Sequence, residues 1–260
     1  MSLKVNQELL LFLTLRELKE RFSGTILGFS WYFIWGIIYI FIYTIIFSKI
    51  MNIKLSNLHY TYSYGLYLAL GLIPWMMFSS ILLKEARVFF EKKHLIEKLP
   101  ISLYYYPLSI LFAEFTIFLI YYFLLFFIIY FLGLQINFVW ILFSLLASLF
   151  LALFGFSLGI LIAVFSIFIR DLQEIAIIIL NVWFWITPIV YTMDIIPPKF
   201  YFLFELNPIF AFFEIFHSLI MKSKFLKIEL VIYDFITVVL VLIISLRLIK
   251  KLESEIRDFL

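Results

Sequence analysis

Cysteine is absent from the 260 residues, which excludes a disulfide framework and a thiolate metal site. Histidine is nearly absent. His59, His94 and His217 fall on different loops, which argues against a histidine metal centre or a Ser/His/Asp triad. None of the eight glycines precedes a lysine, so the G-x-x-x-x-G-K-[ST] loop that cradles nucleotide phosphates is missing. Charge is also scarce. Asp, Glu, Lys and Arg make up 14% of the chain, against about 25% in ordinary soluble domains. With 65% hydrophobic residues and a mean hydropathy of +1.12, the chain cannot cover a soluble surface. A formal net charge of +3 gives no reason to expect nucleic acid.

The charge-free runs are long. Phe22–Ser48, Leu55–Leu83, Phe115–Ile169, Ala176–Met193 and Phe235–Leu246 hold no Asp, Glu, Lys or Arg. A helical crossing needs about 20 apolar residues, and barrel strands would instead alternate over about 10. The Phe115–Ile169 run is long enough for two crossings and is broken by Gly133-Leu134-Gln135-Ile136-Asn137, a turn-like patch. The fold class expected is therefore an all-α integral membrane protein with six crossings. They fall near Ile26–Phe47, Tyr62–Leu83, Tyr104–Leu132, Phe138–Ile169, Ile175–Tyr191 and Leu226–Leu248. Six crossings put both termini on one side. That side then carries 14 of the 20 Lys and Arg residues, so the positive-inside rule makes both termini cytoplasmic. No cleavable signal sequence is evident at the N-terminus.

Residues 1–25 read as an amphipathic interfacial helix, and residues 26–260 as the membrane domain. Leu11, Leu15, Leu18 and Phe22 share a face, with Arg16, Glu17, Lys19, Glu20 and Arg21 around it. A soluble helix packed on a partner would show the same pattern. Residues 84–100 form the longest charged connection between spans. Phe89, Phe90, Leu95 and Ile96 lie there among Glu91, Lys92, His94 and Glu97. Exposed aromatics beside a membrane point to a docking site. Ser144, Ser148, Ala152, Gly155, Gly159 and Ala163 recur every three or four residues in the fourth span, a row that lets helix backbones approach closely. Asp171 and Glu174, after Arg170, have the spacing of a capping box. From Asp194 to Lys224 the chain is apolar but broken by charges and by Pro197, Pro198 and Pro208. This outer segment, residues 194–225, reads as two short re-entrant helices joined at Leu206-Asn207-Pro208.

Aromatics are in excess: 34 Phe, 16 Tyr and 6 Trp make 22% of the chain. Interface belts explain many of them but not rows. Trp31, Trp35, Tyr39 and Tyr43 recur every four residues in the first span, and Phe115, Phe118, Tyr122 and Phe126 form a second row in the third. Aromatic faces stack on the apolar edges of sugar rings. Lipid contact and helix packing are the plainer account of any single ring. Glu114 stands out as an acidic residue inside a span, a default functional candidate. No second member of a proton relay accompanies it.

In this order the segments resemble the membrane subunit of polysaccharide-exporting ABC transporters, of the O-antigen, teichoic acid and capsule type. The resemblance is carried by Arg21-Phe22 with Leu27-Gly28 and Trp31, by Gly71-Leu72-Ile73-Pro74-Trp75 with Phe78-Ser79, and by Leu95-Ile96-Glu97-Lys98. Leu103 with Pro107-Leu108-Ser109, Phe168-Ile169-Arg170-Asp171-Leu172, Ile186-Thr187-Pro188-Ile189 and Leu206-Asn207-Pro208 complete it. Gly36 and Ser102 depart from it where proline is usual, and His217 where arginine is usual.

The resemblance implies a homodimer in the bacterial inner membrane, with two separate ATPase subunits that bind the ATP and Mg2+. No cofactor is then expected in this chain, and no catalytic residue. The cargo implied is a polyprenyl-diphosphate-linked polysaccharide, O-antigen first and teichoic acid or capsule next. The two aromatic rows would line its path. Phe89 to Glu97 together with Arg170 and Asp171 would meet the ATPase, and Pro188, Pro197, Asn207 and Pro208 would shape an outer gate. The rival readings are a lipid or drug permease of the same fold and, more remotely, a proton-coupled carrier.

Overall fold

The computed structural model describes residues 7–21, 23–46, 63–99, 101–134, 136–221 and 224–260. Among these residues every regular element is helical. The chain begins with α1 (Gln7–Glu20) and α2 (Ser30–Phe41), which continues into a π turn at Ile42–Ile46. Next come α3 (Ser63–Glu91), α4 (Lys93–Lys98), α5 (Tyr105–Phe131), α6 (Phe138–Ser166) and α7 (Leu172–Ile186). Single 3-10 turns at Met193–Ile195 and Pro198–Phe200 lead to α8 (Tyr201–Glu205) and α9 (Phe210–His217). The chain closes with α10 (Ile228–Lys251) and α11 (Glu253–Phe259).

Four helices, α3, α5, α6 and α10, are long and apolar enough to cross a bilayer. The apolar helices at Ser30–Thr44 and Leu172–Ile186 fall short of that length. The 15 residues of α7 rise about 22 Å, against a hydrocarbon core of about 30 Å. Its expected extension to Tyr191 fails because the chain turns extended at Thr187 and Pro188 has no N–H to continue the helix. The second span departs in the opposite sense. Residues 84–91 are expected in a helix-favouring connection separate from the second span, yet α3 runs unbroken through Glu91. Lys-Glu-Ala-Arg-Val-Phe-Phe-Glu contains no breaker, so the helix continues past the last uncharged residue.

Of the four long helices α3 is the most enclosed, and α6 is its principal neighbour. Every member of the small-residue row on α6 is buried. A methyl group added at Gly155 would stand 3.0 Å from the Phe78 carbonyl oxygen, and one at Gly159 would stand 2.3 Å from the Glu85 Cβ. Gly155 and Gly159 thus mark a seam where α3 and α6 come into backbone contact. Gly36 serves α2 in the same way, because a Cβ there would meet the Tyr121 ring of α5 at 2.7 Å. α1 lies against α5 and receives a hydrogen bond from the Tyr32 hydroxyl at the Leu18 carbonyl, 2.9 Å long. Leu18 is buried, while Leu11 and Leu15 of the same expected face stay exposed.

The outside of the bundle is apolar. Phe123, Tyr130, Phe138, Ile178, Trp185 and Ile236 are more than half exposed. So large an apolar surface on α5, α6, α7 and α10 is what lipid contact requires and water would penalise.

Candidate functional site

At the charged end, elements far apart in sequence form one platform. Lys92, in the turn between α3 and α4, is bonded to Glu17 and lies 3.1 Å from Glu20, which fixes α1. Burial would raise the Glu20 carboxyl, but hydrogen bonds from Arg16 and Lys92 outweigh it and hold the group below its ordinary range. Arg87 of α3 pairs with Glu174 of α7 at 3.1 Å. The Arg170 guanidinium lies 5.6 Å from the centroid of the Phe90 ring, within range of a cation–π contact.

The capping box is therefore corrected. Asp171 occupies the N-cap position in helical conformation and makes no side-chain cap bond, and Glu174 turns to Arg87 instead. A charged partner from another helix outcompetes a local backbone bond.

The docking residues separate into two groups. Phe89, expected at the surface, is 1% exposed and belongs to the core, because continuation of α3 carries it inward. Phe90, Lys92 and Leu95 are half-buried. Glu91, His94, Glu97, Arg170 and Asp171 are exposed, and they form the outward face of the platform.

One part of the platform had no signal in the sequence. Glu253 of α11 accepts the Leu103 amide at 3.1 Å and the Ser102 hydroxyl at 3.2 Å. Arg257 donates to the carbonyls of Ile96 and Ile101, and Phe259 packs edge-on against Phe168. The terminal helix thereby clamps the connection after α4 to the turn after α6. Glu253→Ala is expected to speed hydrogen exchange of the Leu103 amide at least tenfold, since hydrogen bonds to charged groups contribute about 1.5–3 kcal/mol. An unchanged exchange rate there would show that the clamp carries no local stability.

At the opposite end, Asn207 joins the turn before α9 to the end of α7. Its amide oxygen accepts the Trp183 indole N–H at 2.8 Å, and its amide nitrogen donates to Thr187 Oγ1 at 2.9 Å. Tyr67 of α3 donates to the carbonyls of Pro188 and Tyr191, and Tyr64 donates to that of Val190. Asp234 of α10 accepts the Ala211 amide at 2.9 Å, at the start of α9. The Leu206-Asn207-Pro208 turn thus lies between α8 and α9 and is tied to the end of α7. Pro188 and Asn207 are within this junction. Pro208 is half-buried, and Pro197 lies exposed ahead of α8.

The two aromatic rows have different fates. Trp35 and Tyr39 stack at 5.7 Å with 28° between planes, and Tyr39 and Tyr43 at 6.2 Å with 10°. Trp31, Tyr39 and Tyr43 are half-buried and Trp35 is exposed, so this row remains at the side of the bundle. The second row also stacks, Phe115 on Phe118 at 5.8 Å and Phe118 on Tyr122 at 4.9 Å. Phe118 and Tyr122, however, are each 2% exposed, with Tyr122 against Phe216 of α9. They are corrected to core packing, and Phe115 and Phe126 are half-buried beside them. Close packing of α5 on α3 consumes that face. Glu114 is not a lone carboxylate, since Lys84 reaches it at 2.5 Å and Arg21 at 3.8 Å.

Among the described residues no group of His, Asp and Glu could hold a metal ion. Fold and platform together define a multi-pass helical membrane protein, with most of its described ion pairs gathered at one end and a polar junction, beside the Lys227–Glu205 pair, at the other. Residues 8–221 match the family described as ABC-2 type transporter, and the chain belongs to that family, the membrane subunits of ABC transporters. It is similar to the O-antigen export system permease protein RfbA of Klebsiella pneumoniae, with 26% identity over 253 residues, 97% of this chain and 95% of that one. A second protein of that name from the same organism is 25% identical over 255 residues, with the same shares covered. The RfbA of Myxococcus xanthus is 26% identical over 188 residues, 72% of this chain and 70% of its own.

Proposed function

We propose that this chain is the permease subunit of an ATP-driven exporter that moves a polyprenyl-diphosphate-linked polysaccharide, O-antigen first, out across the bacterial inner membrane. It works as a homodimer with two ATPase subunits, which bind the ATP and Mg2+. Both termini are cytoplasmic. There are six crossings, of which α2 and α7 are the short ones, and α8 and α9 re-enter the outer face. Similarity to O-antigen export permeases along nearly the whole chain supports the cargo class. Teichoic acid, capsule, lipid and drug export are the alternatives within the same family.

The observation that carries the polymer reading is the Trp35–Tyr39–Tyr43 stack on a side of the bundle that remains accessible. A long glycan slides through many registers, so its contacts must be shallow and repeated. Stacking platforms one helical turn apart, about 5.4 Å, meet that need, and each contributes on the order of 1 kcal/mol by analogy with aromatic pairs. At the charged end, His94, Glu97 and Arg170 would face the ATPase. Its movement would pass through Arg87–Glu174 and the α11 clamp into α3 and α7. The rival proton-coupled carrier is disfavoured, because Glu114 is already held by two cations.

The double variant Trp35→Leu, Tyr39→Leu is expected to lower surface polymer at least tenfold, with the complex still assembled and its ATPase still turning over. Normal polymer at matched expression would remove this row from the path. The purified chain alone in lipid is expected to show no ATP hydrolysis; turnover by the chain itself would contradict the division of labour.

A further inference from the structure

The helix α4 has only six residues, too few to hold a helical segment by propensity alone. Its start is tied by Lys92 to Glu17 and Glu20 of α1, and Ile96 is seated in the core. Its end has a defect written in the sequence. The Leu95 carbonyl accepts the Leu99 amide at 2.9 Å. The amide that would close the next carbonyl, that of Ile96, belongs to residue 100, a proline, which has no N–H. Arg257 of α11 takes its place. Its Nη1 donates to the Ile96 carbonyl at 3.3 Å and its Nη2 donates to the Ile101 carbonyl.

The start of α5 has the opposite need. Tyr104, at its N-cap, makes no side-chain cap bond. Glu253 lies one turn before Arg257 on α11. One of its oxygens accepts the Leu103 amide at 3.1 Å and the other accepts the Ser102 hydroxyl at 3.2 Å. Glu253 and Arg257 also pair with each other at 3.3 Å. A cation thus stands at the C-terminal end of α4 and an anion at the N-terminal end of α5, the signs that the two helix dipoles favour. The clamp is itself anchored, since Ile256 is fully buried and Phe259 packs on Phe168.

We propose that Glu253 and Arg257 are positioning residues that fix the angle of α4 against α5, and through it the face that α4 turns toward the ATPase. The second half rests on the transporter reading above; the first does not. The sign of each charge matters, not the pair alone. Reversing both would keep an i,i+4 pair on α11 but set a carboxylate against the Ile96 and Ile101 carbonyls and a cation against the Leu103 amide.

Because the chain has no cysteine, His94→Cys and Phe112→Cys place two spin labels without background, at exposed positions on α4 and α5. The full-length labelled chain, diluted with unlabelled chain in lipid nanodiscs, is read by double electron–electron resonance. The parent is expected to give one narrow distance. Glu253→Gln with Arg257→Gln is expected to widen the distribution about twofold, as a released segment does. Glu253→Arg with Arg257→Glu is expected to widen it as much. Arg257→Lys keeps the sign but loses the planar fork that meets both carbonyls, and should fall between. An unchanged width in the neutral variant, or a parent-like width in the charge-reversed one, would overturn the proposal. In the unlabelled complex with the ATPase, the neutral and reversed variants are expected to raise the ATP hydrolysed per polymer exported about tenfold. A parent-like ratio would overturn the coupling role. Failure of the parent chain itself to assemble with an ATPase would defeat the transporter reading instead, and the label distances would still decide the positioning.

Discussion

Gly159→Ala is expected to disrupt the seam between α3 and α6 and to give one of the largest losses of stability available to a single methyl group in this protein. The new Cβ would stand 2.3 Å from the Glu85 Cβ and 3.0 Å from the Leu82 carbonyl oxygen. Neither obstacle is the tip of a flexible side chain, so relief requires the helices to separate. Overpacking of this kind costs about 1–3 kcal/mol and more where backbone must move. Separation would also loosen Gly155 against the Phe78 carbonyl, one turn along the same row. Thermal unfolding of the purified protein in detergent, followed by loss of the monodisperse peak, measures the effect. A midpoint equal to that of the parent protein would mean the seam is not close-packed. Ala152→Gly is the control: it adds no volume to the seam.

Asn207→Leu is expected to release the junction at the opposite end. The leucine side chain has similar volume but can neither accept the Trp183 indole N–H nor donate to Thr187. A buried donor left unmet costs about 1–3 kcal/mol. The Ile209 amide, 3.4 Å from the same Asn207 oxygen, also loses its acceptor. The end of α7, the turn before α9 and the start of α9 would then move independently. Hydrogen exchange across residues 183–213 is expected to rise at least tenfold, while α5 and the platform at the charged end keep their protection. Asn207→Asp retains the acceptor and should preserve the indole bond. If Asn207→Leu exchanges like the parent protein, the junction is held by packing alone and the amide is dispensable. Under the export reading, the same variant should also impair passage of polymer at the outer face.

The helical class, four of the six expected crossings and the small-residue row could be read from one dimension, because each rests on a period or a run length. Apolar runs without charge specify helices in a bilayer. The spacing of Ser144, Ser148, Ala152, Gly155, Gly159 and Ala163 specifies a face. The two aromatic rows had the same periodicity, yet only the α2 row stays accessible. Which face of a helix meets a neighbour depends on what packs there, and α5 is covered on that side by α3 and α9. Phe89 was misread for a related reason. Lys84–Glu91 reads as helix-favouring, but its charges suggest a connection separate from the second span; charge alone does not end a helix, and with no breaker the span continues through it.

Pairings between distant residues were out of reach. Asp171 and Glu174 have capping-box spacing, and sequence supplies no way to know that Arg87, 87 positions before Glu174, would claim the carboxylate. Likewise Asn207 is one polar residue in an apolar segment until folding sets Trp183 and Thr187 beside it. The clamp of Glu253 and Arg257 on residues 96–103 spans 150 to 161 positions of chain. The sequence by itself determined the solvent, the helical class and the faces available for contact, because composition and period decide how each segment meets lipid and its own backbone. Tertiary structure alone decided which face is buried, which charge meets which, and where the polar groups of two distant ends converge, because those depend on three-dimensional proximity that no local pattern encodes.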